Sequence, residues 1–155
     1  MSRIDLETGT RTEMTSGEGR VRSFTVERQS NGTRTHTDEA PDSTKDLLNL
    51  DRQVTAIERP GGETVSFDYD AGGRLASRTL PTRVTRYGYI ASTGQLADIA
   101  GPDAIDLAFE WDGLLPKAST WSGPVSGRVG YRFDSNLWPI EETVNGEAVA
   151  FGYDA

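Results

Sequence analysis

The sequence predicts an all-β fold built from repeated antiparallel β-hairpins, and three observations carry that reading. The first is a dense local pattern, SFDYDAGGRL, at residues 66–75. Val65, Phe67 and Tyr69 alternate with Ser66, Asp68 and Asp70, so an extended chain puts three apolar groups on one face and three polar groups on the other. Asp70 then meets Gly72 and Gly73, which permit a tight reversal with positive φ, and Arg74-Leu75 starts a second alternating run. The second observation is recurrence. Phe67/Tyr69, Tyr87/Tyr89, Phe109/Trp111, Tyr131/Phe133 and Phe151/Tyr153 are five aromatic-x-aromatic pairs spaced by 20, 22, 22 and 20 residues. The third is a set of turn signals in antiphase: Pro60-Gly61-Gly62, Pro81, Gly101-Pro102, Gly123-Pro124 and Asn145-Gly146. Each period therefore holds two strands and two turns.

In chain order, residues 1–53 form a diverged N-terminal region of hairpin repeats. Short alternating runs at 8–14, 21–28 and 33–38 are separated by Ser16-Gly17-Glu18-Gly19 and Ser30-Asn31-Gly32, the latter an Asn-Gly pair suited to a two-residue hairpin. Thr35, His36, Thr37 and Asp38 stand where an aromatic-x-aromatic-Asp unit would. Between Asp42 and Val54 the period changes. Leu47, Leu50 and Val54 have helical spacing and Ser43 with Asp46 forms a capping-box pattern, so a short helix near 43–50 competes with a hairpin turning at Asn49-Leu50-Asp51-Arg52.

Residues 54–155 hold the repeat array proper, about five hairpin units with the last cut short. Strands are expected at 54–59, 65–70, 75–80, 85–90, 96–100, 106–112, 116–121, 128–134, 140–144 and 148–153. Two residues before each aromatic pair stand Val65, Thr85, Leu107, Val129 and Val149, which widen the apolar face. An Asp closes four of the five pairs, at Asp70, Asp112, Asp134 and Asp154, with Ile90 in the fifth. Connections this short make consecutive strands antiparallel, because a parallel crossover needs about a dozen residues. The sequence stops at Phe151-Gly152-Tyr153-Asp154-Ala155, inside a unit, which leads us to expect a fragment of a longer array.

Composition narrows the function. A net charge of −8 opposes binding to a nucleic-acid backbone or an anionic membrane. The densest basic cluster, Arg20, Arg22 and Arg28, has Glu18 and Glu27 among it. There is no cysteine for a disulfide or thiolate site, and no run approaches the ~18 apolar residues of a membrane span.

The unit at residues 67–75, Phe-Asp-Tyr-Asp-Ala-Gly-Gly-Arg-Leu, resembles the YD repeat, in which an aromatic-x-Tyr-Asp is followed by Gly-Arg and an aliphatic residue. Tyr131 to Asp134 and Phe151 to Asp154 keep the aromatic-x-aromatic-Asp, Phe109 to Asp112 keeps it with Trp, and Tyr87 to Ile90 loses the Asp. Gly73-Arg74 is the one Gly-Arg placed after the pair. The likeness is close over 54–155 and weak over 1–53. It points to the YD-repeat or Rhs (rearrangement-hotspot) family, which includes bacterial wall-associated proteins, Tc-toxin shell subunits and teneurins. It implies a curved, twisted sheet that forms part of a hollow shell, secreted or at the cell surface. It also implies further repeats of the parent chain as partners and, in the bacterial branch, an enclosed C-terminal toxin. The isolated piece is expected either to form a homodimer through open strand edges or the aromatic face, or to be only marginally stable with the C-terminal strand from Ala148 frayed.

No catalytic chemistry, cofactor or metal site is expected. His36 is the one histidine, and a lone His among threonines is far more often a surface side chain than a proton carrier. Asp68-x-Asp70-x-Gly72 begins like a calcium loop but has Gly at the fifth position and Thr79, not a carboxylate, at the twelfth. Asp70 in an Asx-type turn is the stronger reading. The paired Asp-Pro motifs of a self-cleaving Rhs site are absent. An alternative function is carbohydrate or cell-surface glycan binding, with Trp121 and Trp138, which lie outside the pairs, as the exposed rings.

Overall fold

The computed structural model describes the backbone of residues 2–5, 9–15, 21–29, 34–38 and 44–154, with side chains for 25–29, 34, 35 and 44–154. The turns expected at 16–19 and 30–32 and the side chains of Arg20, Arg22 and His36 lie outside the described residues. Among these residues the chain is all-β and divides into two units, 1–83 and 84–155.

The first unit contains β1 (Ser2–Asp5), β2 (Gly9–Thr15), β3 (Val21–Arg28), β4 (Arg34–Asp38), β5 (Lys45–Leu48), β6 (Val54–Glu58), β7 (Thr64–Tyr69) and β8 (Leu75–Leu80). Each strand pairs antiparallel with its sequence neighbour. Residues 45–48 form a strand and not a helical turn. The helical spacing of Leu47, Leu50 and Val54 is a coincidence of a strand followed by a turn, since Asn49 closes a hairpin with Gln53 instead.

The second unit contains β9 (Arg83–Tyr89, in this unit from Val84), β10 (Leu96–Ala100), β11 (Asp106–Asp112), β12 (Leu115–Ser122), β13 (Gly127–Phe133), β14 (Pro139–Val144) and β15 (Glu147–Ala150). These too form a sequential antiparallel meander. The strand periods read from the sequence thus hold, with most ends shifted by a residue or two; the last strand, expected at 148–153, ends at Ala150, and β1 is a strand that the pattern did not predict.

A bulge recurs beside the second aromatic of the pair. Register shifts separate Asp68 from Tyr69, Glu110 from Trp111 and Arg132 from Phe133, each just before the turn. A bulge increases local twist and re-aims the neighbouring side chain, so the second aromatic is placed to reach beyond its own hairpin.

Among the described residues neither unit shows a thick core. The buried apolar side chains among the described residues are Leu48, Val65 and Ala118, at 7%, 5% and 2% exposure. The rings of all the pairs from Phe67 to Phe133 are half-buried, and those of Phe151 and Tyr153 are exposed. Cohesion must come from backbone ladders and cross-strand contacts, because a sheet covered on neither face buries little apolar area.

Candidate functional site

The functional feature of these units is a repeated set of contacts that joins one hairpin to the next. It begins with the turn. Asp70 Oδ1 accepts the N–H groups of Gly72 and Arg74, each at 2.9 Å. Its backbone carbonyl accepts from Gly73 at 2.9 Å and its N–H donates to Arg74 O at 2.8 Å. Asp134 does the same, with Oδ1 accepting from Asn136 at 2.8 Å and Trp138 at 2.9 Å. Asn49 is a third copy, with Oδ1 2.9 Å from the Gln53 N–H. The fourth turn residue has positive φ in all three: Arg52 at 64°, Gly73 at 76° and Leu137 at 66°. In the two aspartate turns one side-chain oxygen satisfies two main-chain N–H groups, and backbone bonds across the turn take up two more pairs of main-chain groups.

The other two turns depart from this form. The one that opens at Ile90 is a residue longer, closing through Ile90 N–H to Gln95 O and Gly94 N–H to Ile90 O, both 2.8 Å. The extra residue replaces the missing Asp. Asp112 pairs with Leu115 across a two-residue turn, Gly113-Leu114, and brackets nothing. Arg74 also bonds to Asp70, Nε to Oδ2 at 2.7 Å. That hydrogen bond, with the turn N–H groups, holds the Asp70 carboxyl below its ordinary pKa.

From these turns, two kinds of side chain reach the neighbouring strand or turn. The first is the second aromatic: Tyr69 Oη donates to Val54 O at 2.7 Å, Trp111 Nε1 to Leu96 O at 2.8 Å and Tyr153 Oη to Pro139 O at 2.6 Å. The acceptor is always the residue just after the preceding Asx-type or extended turn. The second is the last turn residue: Gln53 Nε2 donates to Gly73 O at 2.6 Å and Gln95 Nε2 to Gly113 O at 2.7 Å. Each ties one turn to the positive-φ glycine of the next. Trp138, in the corresponding position, makes a ring contact instead, edge-to-face with Tyr153 at 4.6 Å and 87°.

Across the second unit, Arg128 of β13 reaches over β12 to Glu110 of β11 in a two-pronged ion pair, Nη1–Oε1 2.5 Å and Nη2–Oε2 3.2 Å. The pair lowers the Glu110 pKa and raises that of Arg128, in both cases chiefly through the hydrogen bond between them. On the aromatic side, Phe109, Trp111 and Tyr131, with Leu96 and Pro116, line an open, mainly apolar cleft of about 500 Å³.

The residues singled out from the sequence fall within this scheme. Phe67, Tyr69, Asp70, Gly73 and Arg74 form one hairpin end, and Tyr131, Phe133 and Asp134 form another, with the Tyr131 and Phe133 rings 6.5 Å apart. Tyr87 and Tyr89 lie in β9, Phe109, Trp111 and Asp112 in β11. Phe151, Tyr153 and Asp154 follow β15, and Phe151 N–H still bonds to Ile140 O at 2.9 Å. Trp121 is half-buried opposite Gly127, whose missing Cβ leaves room for the indole. Trp138 is 52% exposed. The carboxylates of the calcium-like stretch are committed elsewhere, Asp68 to Ser77 Oγ at 2.7 Å and Asp70 to its turn. Among the described residues no His, Asp and Glu side chains gather as a metal site, and no helix is long and apolar enough to cross a membrane.

Sequence reasoning placed Asn49 in a candidate turn without its role as acceptor, and missed Gln53, Gln95, Glu110, Arg128 and Gly127. A signal existed for Asn49, Gln53 and Gln95. Asn49 stands four residues before Gln53 as Asp70 does before Arg74 and Asp134 before Trp138, and an amide side chain occupies the closing position twice.

No curated protein matches the chain. The family model described as Teneurin YD-shell matches residues 7–149, nearly the whole sequence, including the repeated turns and the Tyr69 and Trp111 clips. The chain belongs to the teneurin YD-shell family.

Proposed function

We propose that this chain is a wall segment of a bacterial Rhs-type shell, without catalytic activity of its own, whose hairpins help to enclose a C-terminal toxin domain outside the producing cell. The observation that carries the reading is the clip that recurs at Tyr69, Trp111 and Tyr153, each to the start of the preceding strand. A wall that must extend by adding hairpins needs such contacts at every step, because a single-layer sheet has little core to fix the angle between neighbours. A net charge of −8 without cysteine suits a bacterial protein better than a disulfide-rich extracellular one.

The test is to express the full parent reading frame and digest it with protease. The proposal expects further YD repeats upstream, an unrelated domain downstream, and a downstream domain that resists digestion until the shell is opened by denaturant. A downstream domain digested at the same rate with the shell closed and open, or no such domain, overturns it.

A further inference from the structure

We propose that the β12–β13 seam is a hinge within the second unit, pinned at one end and untied at the other. The clips follow one rule of register. The ladders pair Ser66 with Ala56, Ala108 with Asp98 and Ala150 with Glu141. From each pair, the residue three further along the later strand bonds to the residue two earlier in the preceding one: Tyr69 to Val54, Trp111 to Leu96 and Tyr153 to Pro139. At β12–β13 the ladder pairs Gly130 with Ala118, and the same count leads to Phe133 and Pro116. The Phe133 ring has no donor to offer. The turn-to-turn tie is missing as well. Gln53 and Gln95, which make that tie elsewhere, stand just before the clip acceptors Val54 and Leu96. Before Pro116 stands Leu115, whose side chain carries no polar atom.

A gap marks the place. A cavity of about 240 Å³ opens there, and its walls include Leu115 and Lys117 of β12 and Tyr131, Arg132 and Phe133 of β13. Among the described residues no side-chain hydrogen bond joins 115–117 to 131–133, and Arg132 turns the other way, donating to Glu141 at 3.2 Å. The other end of the seam is held. The ladder runs there from Ala118 to Trp121 against Gly127 to Gly130, and Arg128 reaches across β12 to Glu110. Register shifts at Glu110/Trp111 and Arg132/Phe133 bend the strands beside the gap. A seam fixed at one end and free at the other opens by rotation about the fixed end, because local opening follows where the opposing contacts are fewest. In a wall of the kind proposed above, this step is where neighbouring hairpins change angle, but the hinge itself does not depend on that reading.

The experiment is hydrogen exchange on the intact chain, corrected for intrinsic rates, comparing 115–117 and 131–133 with their clipped equivalents, 95–97 and 109–111. The expected result is exchange about two- to tenfold faster at the unclipped seam, the factor that one net hydrogen bond supplies. Phe133→Tyr puts a hydroxyl where Tyr69 and Tyr153 carry theirs. It should slow exchange at 115–117 and 131–133 by a similar factor and leave 95–97 and 109–111 unchanged. Leu115→Gln restores the other tie independently, toward the main chain of the next turn, and should slow the same segments. Equal exchange at the two seams in the parent protein, or no slowing in either variant, overturns the hinge. Exchange equally fast at 118–121 and 127–130 overturns it too, since the whole seam then opens and nothing pins it. Slowing across the entire second unit would be a gain in global stability and would likewise overturn it.

Discussion

The hydroxyl of Tyr69 lies 2.7 Å from the carbonyl oxygen of Val54, fifteen residues earlier in the chain and at the start of the neighbouring strand, β6. The aromatic that defines the repeat is thus a polar clip as well as an apolar surface. Tyr69→Phe removes the hydrogen bond and leaves the ring, so we expect a loss of about 0.5–1.5 kcal/mol in a urea titration. Tyr69→Ala also removes a half-buried ring and is expected to cost about 2–3 kcal/mol, below the ~3–5 of a fully buried aromatic. Equal effects of the two changes would assign the whole contribution to the hydroxyl.

The Gln95 side chain makes the corresponding turn-to-turn contact with Gly113 O. Gln95→Met keeps length and volume but loses the donor, and its expected cost is about 0.5–1 kcal/mol, as for an exposed hydrogen bond. Hydrogen exchange should rise at residues 112–115 and stay unchanged at the opposite turn, 123–126. A uniform rise across the second unit would show that the contact supports global stability and not the local joint.

Acid should weaken the turn at Asp70 and the bridge at Glu110. Both carboxyls have folded pKa values below their ordinary ones. A depressed folded pKa means that the unfolded chain takes up protons first as pH falls. The stabilisation is therefore full above the ordinary carboxylate pKa and is lost as pH drops through the folded value. Asp70→Asn keeps an Oδ1 acceptor for Gly72 and Arg74, as Asn49 does for Gln53, but loses the Arg74 ion pair. Its melting temperature should change less with acid than that of the parent, which a pH series of thermal melts would read directly. An identical acid slope in the two proteins would exclude Asp70 as a contributor.

How much of this was legible in the sequence depends on the range of each interaction. The alternation at Val65, Phe67 and Tyr69 and the glycines at 72 and 73 act within one hairpin, and they fixed the strand order and turn positions directly. Of the two readings open near 43–50, the hairpin turning at Asn49 holds and the helix does not, because three aliphatic residues in an i, i+3, i+7 pattern also fit a strand end, a turn tip and the next strand start. The Asn49 acceptor decides between them, and its partner, Gln53, is only four residues away. The clips were illegible for another reason. Gln95 and Gly113 meet only after β10 and β11 have paired, and Glu110 and Arg128 only after β12 is in register with both neighbours, and the bulges that shift the register have no marker in residue type. The thinness of the core was hidden too, since a repeated apolar face reads the same whether or not something covers it.

Leu137 has φ of 66° at the turn position that Gly73 fills in the parallel copy, and its side chain is 63% exposed. A left-handed conformation costs a residue with a Cβ about 1–2 kcal/mol, while glycine loses more chain entropy on folding, by about 0.5–1 kcal/mol. Because so little packing is lost with an exposed side chain, Leu137→Gly should stabilise the second unit by about 0.5–1 kcal/mol. Gly73→Leu, the reciprocal change at φ 76°, should destabilise the first unit. It adds the left-handed strain and also brings a Cβ to 3.4 Å from Gln53 Nε2, the donor of the clip. Denaturant midpoints for the two variants should therefore move in opposite directions. A loss of stability in Leu137→Gly would mean that the exposed leucine contributes packing at the rim that outweighs its strained backbone.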